Sequence, residues 1–150
     1  MKLEDEINQT KFRSEYQKLN LNLIFTNNWV QNKHRKTFEE FGVTPQQYNV
    51  LRILKGNYPK PYSTSEIRMR MLDPMSDASR IVERLIQKKL VERKTCKSDR
   101  RLVDVVITQK GLNLIEYTSS AIAAQEKIFH ALTITEAQDL NTLLDKLRAE

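Results

Sequence analysis

Along the first forty residues the apolar positions Phe12, Tyr16, Leu19, Leu23, Val30 and Phe38 follow one another mostly three, four or seven places apart. That is the spacing of one helical face, and it predicts a long helix over about residues 5–41, frayed or broken near its start. Leu21, Ile24, Phe25 and Trp29 widen the stripe beyond what a single buried face needs. Such a helix is covered on more than one side: either by its own domain and a second subunit, or as the central helix of a monomer. Gly42 is a natural stop.

The pattern then restarts several times, each time behind a capping residue. Thr44-Pro45-Gln46-Gln47 offers a cap, a proline at the first helical position and a returning glutamine. Tyr48, Val50, Leu51 and Leu54 are the buried face of the helix it opens, and residues 56–61 are a loop, since Pro59 and Pro61 cannot continue a helix. Ser63 with Glu66 predicts a short helix holding Ile67, Met71 and Leu72. Asp73-Pro74 interrupts it, and Ser76 caps a further helix through about Lys89, with Ile81, Val82, Leu85 and Ile86 inward. Two short helices in succession are a helix-turn-helix pattern. Two β-prone runs follow, 91–94 and 102–107, joined by a basic turn. Thr108 then caps a helix to about Phe129, with Leu112, Ile115, Ala123 and Ile128 apolar. Thr133 with Glu136 opens the last helix, whose inner side is Ala137, Leu140, Leu143, Leu144 and Leu147. The fold class is therefore mainly α with a small β hairpin.

Charge sharpens this picture. The net charge of +6 favours polyanionic partners, and the surplus is local: residues 65–111 hold 12 Lys or Arg against 7 Asp or Glu. No apolar run approaches the roughly 20 residues that cross a bilayer, no signal peptide is expected, and the single Cys96 fits a reducing, cytoplasmic setting. His34 and His130 have no neighbours at metal-ligand spacing. HExxH, CxxC and glycine-rich phosphate loops do not occur. Neither an enzyme, a metal nor a cofactor is expected.

On the helix after Ser76, the outward residues include Ser79, Arg80 and Arg84, with Ser76 and Asp77 at its start. Arg80 and Arg84 are four apart, hence on one side, and arginine can grip guanine O6 and N7 or a phosphate. Asp77 opposes a close phosphate, so it caps, takes a base-edge donor or points away. At the hairpin turn, Lys97, Arg100 and Arg101 gather three cations, and Asp99 can brace the turn or hold Arg101. Such a tip suits a narrow minor groove. Solvated surface charge is the plainer reading of either element alone.

Three stretches, SDRRLVDVVITQKG at 98–111, SDASRIVERLIQKKLVERK at 76–94 and VTPQQYNVLRIL at 43–54, together resemble the MarR family of winged helix-turn-helix transcriptional regulators. The resemblance implies one domain over residues 1–150, with a DNA-binding winged region at 44–107 flanked by dimerisation helices at 5–41 and 108–149. It also implies a homodimer on a palindromic double-stranded DNA site. Arg101 would be the minor-groove contact, held by Asp99, and repression, relieved by a small aromatic or phenolic ligand, would be the family's usual mode. Phe25, Trp29, His34 and Tyr48 are the candidate ligand-pocket residues; aromatic side chains at helical spacing are also ordinary core. Cys96, among Arg93, Lys94 and Lys97, could favour its thiolate, but it has no second cysteine to pair with in the chain. A winged module for protein assembly without specific DNA binding is the rival reading.

Overall fold

The computed structural model describes residues 1–95 and 103–149. The chain forms two compact units, Met1–Tyr117 and Thr118–Glu150. The first holds helices α1 (Leu3–Glu6), α2 (Glu15–Glu40), α3 (Pro45–Asn57), α4 (Thr64–Arg70) and α5 (Ala78–Gln87). It also holds strands β1 (Tyr62–Ser63), β2 (Val91–Thr95) and β3 (Val103–Ile107), and the start of α6 (Gln109–Gln125). The second holds the rest of α6, a 3-10 turn at Glu126–Phe129 and α7 (Ile134–Arg148).

The predicted long first helix is two helices. Asn8 adopts φ 52, a left-handed conformation that asparagine tolerates better than most residues. Ser14 then starts α2 afresh, its side chain accepting from the Gln17 N–H. Lys18 ties α1 back to α2 through Glu4 at 2.5 Å. The next helix starts follow the sequence closely. Thr44–Gln47, Ser63–Glu66 and Thr133–Glu136 all form reciprocal capping boxes, so each helix begins with its first orphan N–H groups satisfied. The second helix runs on through Gly56 to Asn57, leaving a shorter loop than expected.

The core of the first unit is continuous in kind. Val50 and Leu51 of α3, Ile67 of α4, Leu85 of α5 and Val105 of β3 are all fully buried. The sheet is antiparallel in the order β1-β3-β2, with Arg93 opposite Val105 and Tyr62 also opposite Val105. The two-residue β1 was missed because Tyr62-Ser63 is too short to show alternation. Its pairing places the start of α4 beside the central strand.

A second junction fixes α5 against the sheet. Leu90 N–H donates to Leu85 O at 3.0 Å and Lys89 N–H to Ile86 O at 2.8 Å. This is the double closure that ends helices at a left-handed residue, and Lys89 occupies that place with φ 59, where glycine is usual. The start of α6 locks onto the same turn. The Thr108 hydroxyl donates to Lys89 O, Lys110 Nζ donates to Lys88 O, and the Gly111 N–H donates to the Thr108 hydroxyl. A Cβ at Gly111 would lie 2.3 Å from Leu90 O and 2.6 Å from an Ile107 side-chain carbon. The Thr-x-x-Gly spacing after the second β run is thus a close-packing device: threonine bonds the turn and glycine lets α6 approach it.

Two expectations need correction. Leu72 lies beyond the short helix, because α4 ends at Arg70, and it is exposed. Lys88 is exposed as expected, and it also donates to Gly42 O at 2.6 Å and Gln47 Oε1 at 2.9 Å. On α7, Leu140, Leu143 and Leu147 are exposed by 45, 61 and 57%, and no residue of that helix is buried. Their amphipathic spacing is real, and within the second unit these three side chains stay exposed.

Candidate nucleic-acid interface

The surface of interest is built on α5. Ala78, Val82 and Leu85 are the buried residues of this helix, at spacings of four and three, which is one helical face. Burial of that face leaves Ser79, Arg80 and Arg84 exposed. The sequence therefore dictates the outward set by committing the inward one.

The start of α5 differs from expectation. Asp77, not Ser76, is the N-cap; its carboxylate accepts from the Arg80 N–H at 3.0 Å. Ser76 is drawn one turn back, its hydroxyl donating to Asp73 Oδ2 at 2.7 Å, while Asp73 Oδ1 accepts from the Met75 N–H. Asp73 organises the interhelical turn and leaves Asp77 as the nearest acceptor. That resolves the three roles open to Asp77: it caps. The Leu72 N–H donates to the Asn49 side chain at 3.1 Å, fastening the same turn to α3.

Two grooves flank α5. One, of about 450 Å³, runs between α4 and the start of α5 and is lined by Ser65, Arg68, Ser76, Asp77 and Ser79 among others. The other, of about 410 Å³, lies toward the sheet and is lined by Thr64, Ser79, Arg80, Val82, Glu83 and Arg93. Ser79 and Thr64 border both. Ser76, Asp77, Arg80 and Arg84 also meet along a third groove facing α3. Every residue expected on the recognition helix thus lies in one contiguous surface. Thr64, Ser65, Arg68 and Arg93 join it without having been singled out for it. Arg68 and Ser65 are three apart on a seven-residue helix, a signal too short to read without knowing where α4 faces.

Lys97, Asp99, Arg100 and Arg101, and Cys96 beside them, lie outside the described residues. The strands on either side are in place, with Thr95 opposite Val103 in the ladder.

The four aromatic and histidine positions do not share one cavity. Phe25 and Trp29 line a shallow groove of about 210 Å³ with Met1, Lys2, Leu3 and Glu6. Tyr48 is buried elsewhere, its ring 5.0 Å from that of Phe38. Its hydroxyl is the one buried side-chain polar atom without a hydrogen-bond partner among the described residues. His34 is not among the residues lining the groove of Phe25 and Trp29. Spacing on a helix could not reveal that Tyr48 turns into the core. Among the described residues, no group of three or more His, Cys, Asp or Glu could hold a metal ion. No described helix is long and apolar enough to cross a membrane.

Comparison with known proteins agrees with this architecture. A model of the MarR family matches residues 41–102. The chain is similar to a MarR transcription factor from Planctomyces limnophilus at 29% identity, covering 90% of this chain and 98% of that one, with a TM-score of 0.71. It shares its fold with a mutant MarR from E. coli complexed with operator DNA, at 20% identity, 93 and 100% coverage and a TM-score of 0.81. It likewise shares its fold with S. aureus MepR in a DNA complex, at 21% identity, 91 and 97% coverage and a TM-score of 0.74.

Proposed function

We propose that this chain, whose residues 41–102 match the MarR family, is a sequence-specific double-stranded DNA-binding transcriptional regulator of that family that works as a homodimer on a palindromic promoter site. The observation that carries this reading is the division of α5. Its buried apolar residues are committed to the core, and Ser79, Arg80 and Arg84 are presented on a surface edged by two grooves. A helix held this way enters a major groove, where paired arginine donors read guanine and backbone contacts set the register.

The dimer follows from unspent apolar surface. Leu19 and Ile24 on α2 are large, exposed hydrophobic side chains, and so are Leu140, Leu143 and Leu147 on α7, which recur at helical intervals. Exposed apolar surface of this kind on each helix favours a protein interface. A two-fold dimer presents two copies of α5, and half-sites one helical turn apart answer that symmetry. Repression by occupying a promoter, with the wing residues Lys97, Asp99, Arg100 and Arg101 at the minor groove, completes the reading. Release by a small aromatic or phenolic compound belongs to it as well. Phe25 and Trp29, which share a groove, are its best-placed contacts, ahead of His34 and Tyr48.

Selection of bound duplexes from a random DNA pool, at about 0.15 M salt where nonspecific binding is weak, tests this directly. An enriched inverted repeat with half-sites about ten base pairs apart is expected. Folded protein that enriches nothing, even at lower salt, contradicts it and leaves the winged module as an assembly surface.

A further inference from the structure

One ion pair crosses from α5 to the sheet. Arg93 Nη2 of β2 donates to Glu83 Oε2 of α5 at 2.5 Å, with both side chains about half exposed. The other described ion pairs lie within α2, within α7 or between α1 and α2. The contact arises from the local geometry. Residues alternate faces along a strand, so Arg93 projects to the same side as Val91, which is buried. Glu83 follows Val82 on the flank of α5 nearest that strand. The pair lines the groove that also holds Thr64, Ser79 and Arg80.

A carboxylate on a surface built to meet a polyanion is unfavourable in itself, since it repels phosphate at long range. Its retention needs a local reason. The guanidinium carries five N–H donors in a planar fork, and Glu83 engages one of its nitrogens while Arg93 lines the groove.

We propose that Glu83 is a positioning residue, and that it holds Arg93 as a contact for a DNA backbone phosphate at the junction of recognition helix and wing. This rests on the DNA-binding reading above. Arg93 supplies the charge-assisted hydrogen bond, and Glu83 fixes the fork before DNA arrives, so that less side-chain freedom is lost on binding.

The two roles available to Glu83 give opposite signs. As a bystander charge, its removal tightens DNA binding; as a positioning residue, its removal weakens it. The measurement is the affinity of full-length protein, over a series of salt concentrations, for the selected duplex and for a scrambled duplex of equal length. Arg93→Ala should weaken both by roughly tenfold, the scale of one charge-assisted hydrogen bond. It should also lower the salt slope by about 0.9 for each bound chain. Glu83→Gln should weaken both duplexes, by less, although it adds net positive charge. The double variant should match Arg93→Ala alone, and Glu83→Asp, which keeps the carboxylate, should recover part of the loss. Thermal unfolding of each variant separates a folding defect from a binding one.

Tighter binding by Glu83→Gln, or losses that simply add in the double variant, overturns the proposal while specific binding by the wild type stands. Absence of any wild-type DNA binding removes the functional reading and this inference together.

Discussion

The winged region and the last helix of this chain handle their apolar residues in opposite ways. Ile67, Leu85, Val91 and Val105 have at most 2% of their surface exposed. Leu140, Leu143 and Leu147 of α7, also spaced along one helical face, are each about half exposed. The first set is satisfied inside its own unit; the second stays exposed. Periodicity therefore reports an apolar face, and leaves open what covers it. On the reading proposed above, the exposed leucines serve self-association and the winged region carries the DNA-facing surface, so folding and dimerisation would fall to different residues.

The difference can be broken most forcefully from the winged side. Leu85→Ala should cost about 2–5 kcal/mol, the range for emptying a fully packed leucine site. Chemical denaturation should show it as a shifted midpoint with the slope preserved. On the other side, Leu143→Ala with Leu147→Ala should leave the winged core intact and weaken self-association. Each leucine buried at an interface contributes about 1.5–3 kcal/mol, counted once per chain. Sedimentation should show a dimer dissociating at higher concentration than the wild type. An unchanged dimer would assign association to other residues.

Gly111→Ala probes the junction between α6 and the end of α5. The added carbon meets the Leu90 carbonyl at 2.3 Å, backbone that cannot swing aside, so a loss of about 1–3 kcal/mol is expected from overpacking. Thermal unfolding measures it.

Acid gives the smallest effect. Backbone and side-chain hydrogen bonds from Ser63 hold the Glu66 carboxyl below its usual 4.5, and those from Thr133 do the same for Glu136. Glu4 is lowered chiefly by its hydrogen bond from Lys18. Lowered folded values mean a stabilising contribution that is present above 4.5 and lost as pH falls through the folded value. Melting temperature should drop in that acid range, and Ser63→Ala together with Thr133→Ala should make the drop shallower. The Glu4–Lys18 pair also raises the lysine above 10.5, so its share is present below that pH and lost as pH rises through the folded value.

Much of the molecule was legible beforehand because local chemistry determined it. Thr44, Ser63 and Thr133 each precede a Glu or Gln by three residues, and each made the box that this spacing allows. Arg80 and Arg84 were readable as outward because Val82 and Leu85 were readable as inward. What escaped the sequence was non-local. The choice of Asp77 over Ser76 as cap depended on Asp73 capturing the serine hydroxyl. Lys88, exposed as read, is tied down because Gly42 and Gln47, more than forty positions away, offered acceptors. Arg93 was legible as a nearby cation, and its link to Glu83 only once β2 had been laid beside α5. Tyr48 and Trp29, both aromatic residues on helices, parted because one faces the Phe38 ring and the other a surface groove.

The most direct test of the central claim is the base preference of wild-type protein and of Arg84→Ala on the selected duplex and its single-base variants, at fixed salt. A base-reading Arg84 predicts a loss of about 1–3 kcal/mol on the preferred sequence, with discrimination relaxed at one position in each half-site. Equal affinity of both proteins for every duplex would contradict the assignment of α5 as the helix that reads DNA.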